Sequence, residues 1–79
     1  MSHYVYILKC SDGSYYTGST NNVRRRFLSH KTGLVESTKL KRPLKLVWYC
    51  CFIDTKKAFE FEKYLKIGSG KAFSQKRFI

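Results

Sequence analysis

Hydrophobic and polar positions change their spacing several times along the chain, and each change marks an element. HYVYILKC at 3–10 is β-branched and aromatic and predicts a strand. SDGS signals a turn, and YYTGS at 15–19 a second short strand, so the two form a hairpin. Thr20 or Asn21 caps a helix that runs from Asn22 to about Lys31 and stops at Gly33. TGLVESTKLKRP at 32–43 reads as a polar loop. LKLVWYCCFI at 44–53 is an apolar strand with little alternation, which predicts cover on both faces. Asp54 is a natural cap for a helix TKKAFEFEKYLKI at 55–67. GSG at 68–70 breaks that helix, and KAFSQKRFI suits a last helical turn or two.

The order β-β-α-β-α, with a possible third C-terminal helix, predicts an α+β fold. It is a small three-stranded antiparallel sheet flanked by two to three helices, in one domain spanning 1–79. The hairpin admits two registers. A two-residue Asp12-Gly13 loop pairs Lys9 with Tyr16 and sends Tyr6 and Tyr16 to opposite faces. A three-residue Ser11-Asp12-Gly13 loop puts Gly13 third, where left-handed geometry suits glycine. It pairs Cys10 with Ser14, Leu8 with Tyr16 and Tyr6 with Gly18, so both tyrosines share one face and Val5 and Ile7 the other. The second register is preferred.

Composition sharpens the picture of partners. The 79 residues are 43% hydrophobic and 16% aromatic, enough for a compact core and too much for a disordered chain. Sixteen Lys and Arg against five Asp and Glu leave a net charge of +11. That excess favours a polyanion, whose condensed counterions are released on binding. A membrane surface is the poorer candidate. No helix pattern carries a large aromatic-and-leucine face, and no apolar run approaches the roughly 20 residues of a membrane span. Nucleic acid, DNA above all, is the expected partner.

MSHYVYILKC has no cationic segment ahead of an apolar one and no cleavage-type site, so a cytoplasmic protein is expected. Cys10, Cys50 and Cys51 are odd in number and lack metal-ligand spacing. They are expected to be reduced and mostly buried, with Cys50 and Cys51 on opposite faces of their strand.

Candidate chemistry emerges from the helical faces. At 100° per residue, Val23, Arg26, Phe27 and His30 fall in one arc, while Arg24 and Arg25 lie away from it. An inward Arg and His are compatible with a snorkelling cation and a histidine that merely covers the core. In the second helix Ala58, Phe61 and Leu65 form the apolar stripe and Glu62 falls inside it, with Glu60 opposite. A carboxylate on a buried face needs an ion pair or a metal. Either an inward Lys or Arg pairs with it, or it binds a hard divalent cation such as Mg²⁺. Two tyrosines on one sheet face, with an inward Arg, His and Glu in a basic chain, suit phosphodiester hydrolysis. That reaction needs a metal to polarise phosphate, a cation to neutralise charge and a group to activate water.

YVYI at 4–7 and YYTG at 15–18 resemble the two halves of the GIY-YIG motif. NNVRRRFLSH resembles the helix that follows it, and AFEFEKYLK the helix carrying that family's metal-binding Glu. The chain is similar from 4 to about 75 to small stand-alone members of the GIY-YIG nuclease superfamily, of the type related to the excision-repair nuclease subunit. The resemblance implies a metal-dependent endonuclease acting on DNA, directed by structure or damage, in repair or recombination. It casts Tyr6 as general base or orienter of the attacking water and Tyr16 as its neighbour near the scissile phosphate. Gly18 allows close packing there, Arg26 stabilises phosphate charge and His30 supports the phosphate or leaving oxygen. Glu62 becomes the sole protein ligand of one Mg²⁺ or Mn²⁺ ion. An ordinary tyrosine pKa near 10 means that the metal and Arg26 would have to favour a phenolate.

Departures from the family pattern are also visible. Tyr4 stands for a glycine, Thr17 for an aliphatic residue and Ser19 for a lysine found in some relatives. Ser74 and Gln75 occupy the neighbourhood of a supporting Asn. With no attached recognition domain, target choice falls to the basic surface, a dimer or a protein partner. Arg24, Arg25, Lys31, Lys39, Lys41 and Arg42 are the expected phosphate contacts. The alternatives are a non-catalytic nucleic-acid-binding module on the same fold, and a small structural or regulatory protein.

Overall fold

The computed structural model describes residues 2–67. Six elements follow one another: β1 (His3–Lys9), β2 (Tyr15–Thr20), α1 (Val23–Lys31), α2 (Glu36–Lys39), β3 (Lys45–Phe52) and α3 (Thr55–Lys66). The strands form one antiparallel sheet in the order β2-β1-β3, and the α+β architecture is as expected. The possible C-terminal helix, with Ser74 and Gln75, lies outside the described residues.

The hairpin adopts the three-residue loop. Tyr6 pairs with Gly18 and Leu8 with Tyr16, and the Cys10 amide donates to the Ser14 carbonyl at 2.8 Å. Gly13 sits at φ 86°, a conformation that penalises any Cβ. Asp12 closes the turn by accepting from the Ser14 amide at 2.9 Å and from its hydroxyl. Those hydrogen bonds hold the Asp12 carboxyl below its ordinary range.

Strand order corrects the expectation of cover on both faces of β3. It is β1 that lies in the middle, with Val5, Tyr6, Ile7 and Leu8 all buried. β3 is an edge strand whose Tyr49 is 55% exposed. Its Trp48, Cys50 and Phe52 pack inward against Val5, Ile7, Ala58 and Leu65, the core between sheet and α3. Val5, Ile7 and Leu65 each contribute roughly 1.5–3 kcal/mol by leaving water. Cys50 and Cys51 do point to opposite faces, but only Cys10 is fully buried and Cys51 is exposed. An edge strand covered on one side cannot hide both of an adjacent pair. A register shift between Ile7 and Leu8 pairs them with Trp48 and Leu46, so that the consecutive Val47 and Trp48 both pack on the core and Leu46 turns to the face of Tyr4 and Tyr49.

α1 starts one residue later than expected. Asn22, not Thr20 or Asn21, is the cap, accepting from the Arg25 amide at 3.0 Å. Its end is a Schellman closure. The Gly33 amide donates to the His30 carbonyl and the Leu34 amide to the Ser29 carbonyl, with Gly33 at φ 85°. The polar stretch 32–43 is not all loop: it contains α2, which buries Thr38, and Val35 just before it. α3 begins on Asp54 as expected, through the Lys56 amide at 2.9 Å. Among the described residues no helix is long and apolar enough to cross a membrane.

Candidate active site

Alternation along β1 sends Tyr6 to the face opposite Val5 and Ile7, and the hairpin register sets Gly18 directly across from it. The Tyr6 ring lies over that glycine. A Cβ at position 18 would sit 2.6 Å from Tyr6 Cζ, which no side chain could accept. Glycine therefore makes room for the ring, which runs on toward β2 and α1. Tyr16 stands beside it, ring centroids 6.4 Å apart. Both tyrosines contact the His30 ring edge-on, Tyr16 at 5.1 Å and Tyr6 at 5.6 Å.

His30 is fully buried one turn beyond Arg26 and has a partner on each nitrogen. Nε2 is 2.7 Å from the Tyr6 hydroxyl and Nδ1 is 2.8 Å from the Thr38 hydroxyl. Arg26 also stands against the Tyr6 hydroxyl. A guanidinium only donates and takes one lone pair of the Tyr6 oxygen, which favours the tautomer in which the Tyr6 hydroxyl donates to His30 Nε2. Nδ1 then carries the imidazole proton and donates it to Thr38. Thr38 was invisible as a site residue in the sequence. The available signal was indirect: a buried histidine needs two partners, and the second had to come from outside its own helix.

Electrostatics agree with that chain. Burial, reinforced by the Arg26 charge, lowers the His30 pKa to about 4, so the ring is neutral near pH 7. Burial also pushes the Tyr6 phenol up, opposed by its hydrogen bond to Arg26, and it rests protonated. The interaction with Tyr6, opposed by partial burial, raises the Arg26 pKa above its ordinary value, with Tyr16 adding to it.

Glu62 comes from the other side of the sheet. α3 packs on the Val5 and Ile7 face, and Ser19, which pairs with Val5, shares that face. Ser19 donates its hydroxyl to Glu62 Oε1 at 2.7 Å, and Lys66 Nζ lies 2.9 Å from Oε2. Because β2 is an edge strand, α3 reaches round it: Lys66 Nζ stands 6.0 Å from the Tyr16 ring, and the Glu62 charge is felt at Tyr6. The two faces meet at this edge. The ion pair foreseen as one alternative for Glu62 is present, but Lys66 is half-exposed and Glu62 keeps 19% of its side chain in contact with solvent.

Among the described residues no three His, Cys, Asp or Glu side chains gather as a metal cage. A lone accessible carboxylate beside a hydroxyl fits a hard divalent ion completed by waters and a substrate phosphate, once Lys66 gives way. The surface cations are dispersed. Arg24, Arg25, Lys31, Lys39 and Lys41 are all exposed. Arg25 also donates to the Asn21 side chain at 3.2 Å. Arg42 is a strut, with Nε donating to the Lys39 carbonyl at 3.0 Å and the group lying against Gly33.

Residues 2–76 match the sequence model of the GIY-YIG catalytic domain. This chain belongs to the GIY-YIG family. A UPF0213 protein of Bacillus licheniformis is 39% identical over 79 residues, spanning 99% of this chain and 79% of that one. A second, from Staphylococcus saprophyticus, is 40% identical over 76 residues, spanning 82% and 92%. The solution NMR structure of a UPF0213 protein from Bacillus halodurans superposes with a TM-score of 0.63 at 34% identity, covering 99% of this chain and 87% of its own. GIY-YIG membership makes this a nuclease-type domain. The segments 4–7 and 15–18 that resemble the two half-motifs lie on the paired strands β1 and β2, and the segment that resembles the following helix is α1.

Proposed function

We propose that this protein is a divalent-metal-dependent endonuclease that hydrolyses phosphodiester bonds in DNA, choosing its target by structure or damage in repair or recombination. A chain of 79 residues has little surface for base readout compared with sequence-specific interfaces. The net charge of +11 supplies affinity for any strand. Glu62 would hold one Mg²⁺ or Mn²⁺ ion, which when bound polarises the phosphate and offsets its charge. Arg26, against both tyrosine hydroxyls, neutralises charge building on the phosphate oxygens.

The protein's own groups then move one proton. As the attacking water forms its bond to phosphorus, its proton passes to the Tyr6 oxygen while the Tyr6 proton passes to His30 Nε2. The phosphorus–leaving-oxygen bond breaks, and that oxygen takes a proton from solvent. Thr38 holds Nδ1–H throughout, and the imidazolium, which burial and the Arg26 charge disfavour in the free protein, forms with both protons hydrogen-bonded only while a bound phosphate offsets Arg26. A phenol kept protonated by burial favours such a relay over a resting phenolate.

The observation that carries this reading is convergence: Tyr6, Tyr16, Arg26 and His30 cluster on one face of the β2 edge, with Glu62 reaching it from the other. The test is to incubate pure protein with linear, flapped, cruciform and single-stranded DNA, with Mg²⁺ or Mn²⁺ against chelator. A metal-dependent cut on one of these supports the reading. The Glu62–Lys66 ion pair favours a second one, a binding module without catalysis, and salt-sensitive DNA binding with no cut in any metal would select it.

A further inference from the structure

On the same face of the sheet as Tyr6, a groove of about 590 Å³ opens to solvent beside the start of α1. Tyr4 from β1 and Tyr49 from β3 line it, their rings edge-to-face with centroids 6.3 Å apart. Asn21, Asn22 and Arg24 line it too, with Phe27. A lone tyrosine on an edge strand needs no explanation. Here two rings stand together with a cation and two amides. The Asn21 and Asn22 side-chain oxygens already accept from Arg25, so their N–H donors are what they add.

Position supplies the rest. Tyr4 lies two residues before Tyr6 on the same strand face, about 7 Å away by strand rise. Arg24, in the first turn of α1 and on another side of that helix from Arg26, lines the groove. The groove thus continues the candidate active site along the sheet, within reach of the nucleotide next to a phosphate held by Arg26. We propose that this groove takes an unpaired nucleobase of that flanking nucleotide, stacked on Tyr49 with the Tyr4 ring against its edge, and with Arg24 on its phosphate. The proposal rests on the reading of the protein as a nucleic-acid enzyme and names its substrate class as single-stranded or frayed. A paired base keeps both its faces inside the duplex stack, whereas an unpaired one offers its π-face to an aromatic platform whatever its identity. An apolar peptide would match the rings but neither Arg24 nor a chain charged +11.

The experiment is fluorescence anisotropy in chelator, which keeps strands intact. It uses a labelled single-stranded decamer, the same decamer with abasic residues throughout, and a blunt duplex. Tyr49 is exposed, so Tyr49→Ala is expected to fold, with circular dichroism as the check. It should weaken single-strand binding by about 5- to 100-fold, the worth of one base–aromatic stack. Tyr49→Phe should bind within about twofold of wild type. The abasic strand should bind wild type as weakly as the natural strand binds Tyr49→Ala, and the duplex should not distinguish the variants. Equal single-strand affinity for wild type and Tyr49→Ala, or equal losses on natural and abasic strands, would overturn the proposal, as would no single-strand binding by wild type. Failure of the nuclease reading shows separately, as no cut with metal while the binding differences persist.

Discussion

Gly18 lies beneath the ring of Tyr6, so close that a methyl group at 18 would fall 2.6 Å from Tyr6 Cζ. The glycine of one strand thereby decides where the phenol of its neighbour points. Gly18→Ala must move the buried ring or the hairpin, at about 1–3 kcal/mol. The variant should lose several degrees of Tm, at roughly 4–8 °C per kcal/mol, and its remaining folded fraction should cut poorly. Full cleavage by a folded Gly18→Ala protein would mean that the ring's placement is not needed.

Thr38 closes the polar chain that begins at Tyr6. Thr38→Val keeps the shape and strands the Nδ1–H of His30 inside the protein, costing about 1–3 kcal/mol. Thr38→Ser should restore most of the stability and cleavage. If serine fails to rescue while valine is tolerated, the threonine acts through its methyl packing and His30 is held otherwise.

Burial of His30 makes stability depend on pH. Its pKa is about 4 in the fold against 6.5 unfolded, because burial first, and Arg26 second, disfavour the imidazolium. As pH falls through that window the unfolded chain binds a proton that the folded one refuses, so stability drops. Above the upper value both states are neutral and the contribution is flat. The full effect is on the order of 3 kcal/mol. Denaturant melts of wild type and His30→Gln should diverge in slope between those two pH values and run parallel above them. Parallel curves throughout would show that His30 titrates normally.

The three arginines of α1 should separate by role. Arg26 stands against Tyr6 and Tyr16, while Arg24 and Arg25 are exposed. Arg26→Ala should lower the single-turnover rate at saturating DNA by about 10²- to 10³-fold. Arg24→Ala and Arg25→Ala should mainly raise the DNA concentration needed. Equal rate losses would reduce the helix to a source of charge.

Local chemistry made much of this legible in the sequence. Gly13 in the turn set the hairpin register and with it the shared face of Tyr6 and Tyr16. Helical periodicity turned Arg26 and His30 inward, and Asp54 marked the start of α3. Strand order has no such local signature: an apolar run such as 44–53 looks buried whether it is central or, as here, at the edge. The four residues of α2 are too few to show a period, and Thr38 hid among polar neighbours for that reason. Nor could periodicity foresee that Glu62 and Tyr6 belong to opposite faces and communicate only because β2 ends the sheet.

Glu62 is where that edge meets the chemistry. Cleavage of a flapped or single-stranded DNA by Glu62→Gln, with Mg²⁺ or Mn²⁺ and alongside wild type in metal and in chelator, is the most direct measurement. The variant in metal should cut no faster than wild type in chelator while binding DNA with unchanged affinity. Metal-stimulated cutting by Glu62→Gln, or a collapse of its DNA binding, would contradict the placing of the ion at the β2 edge.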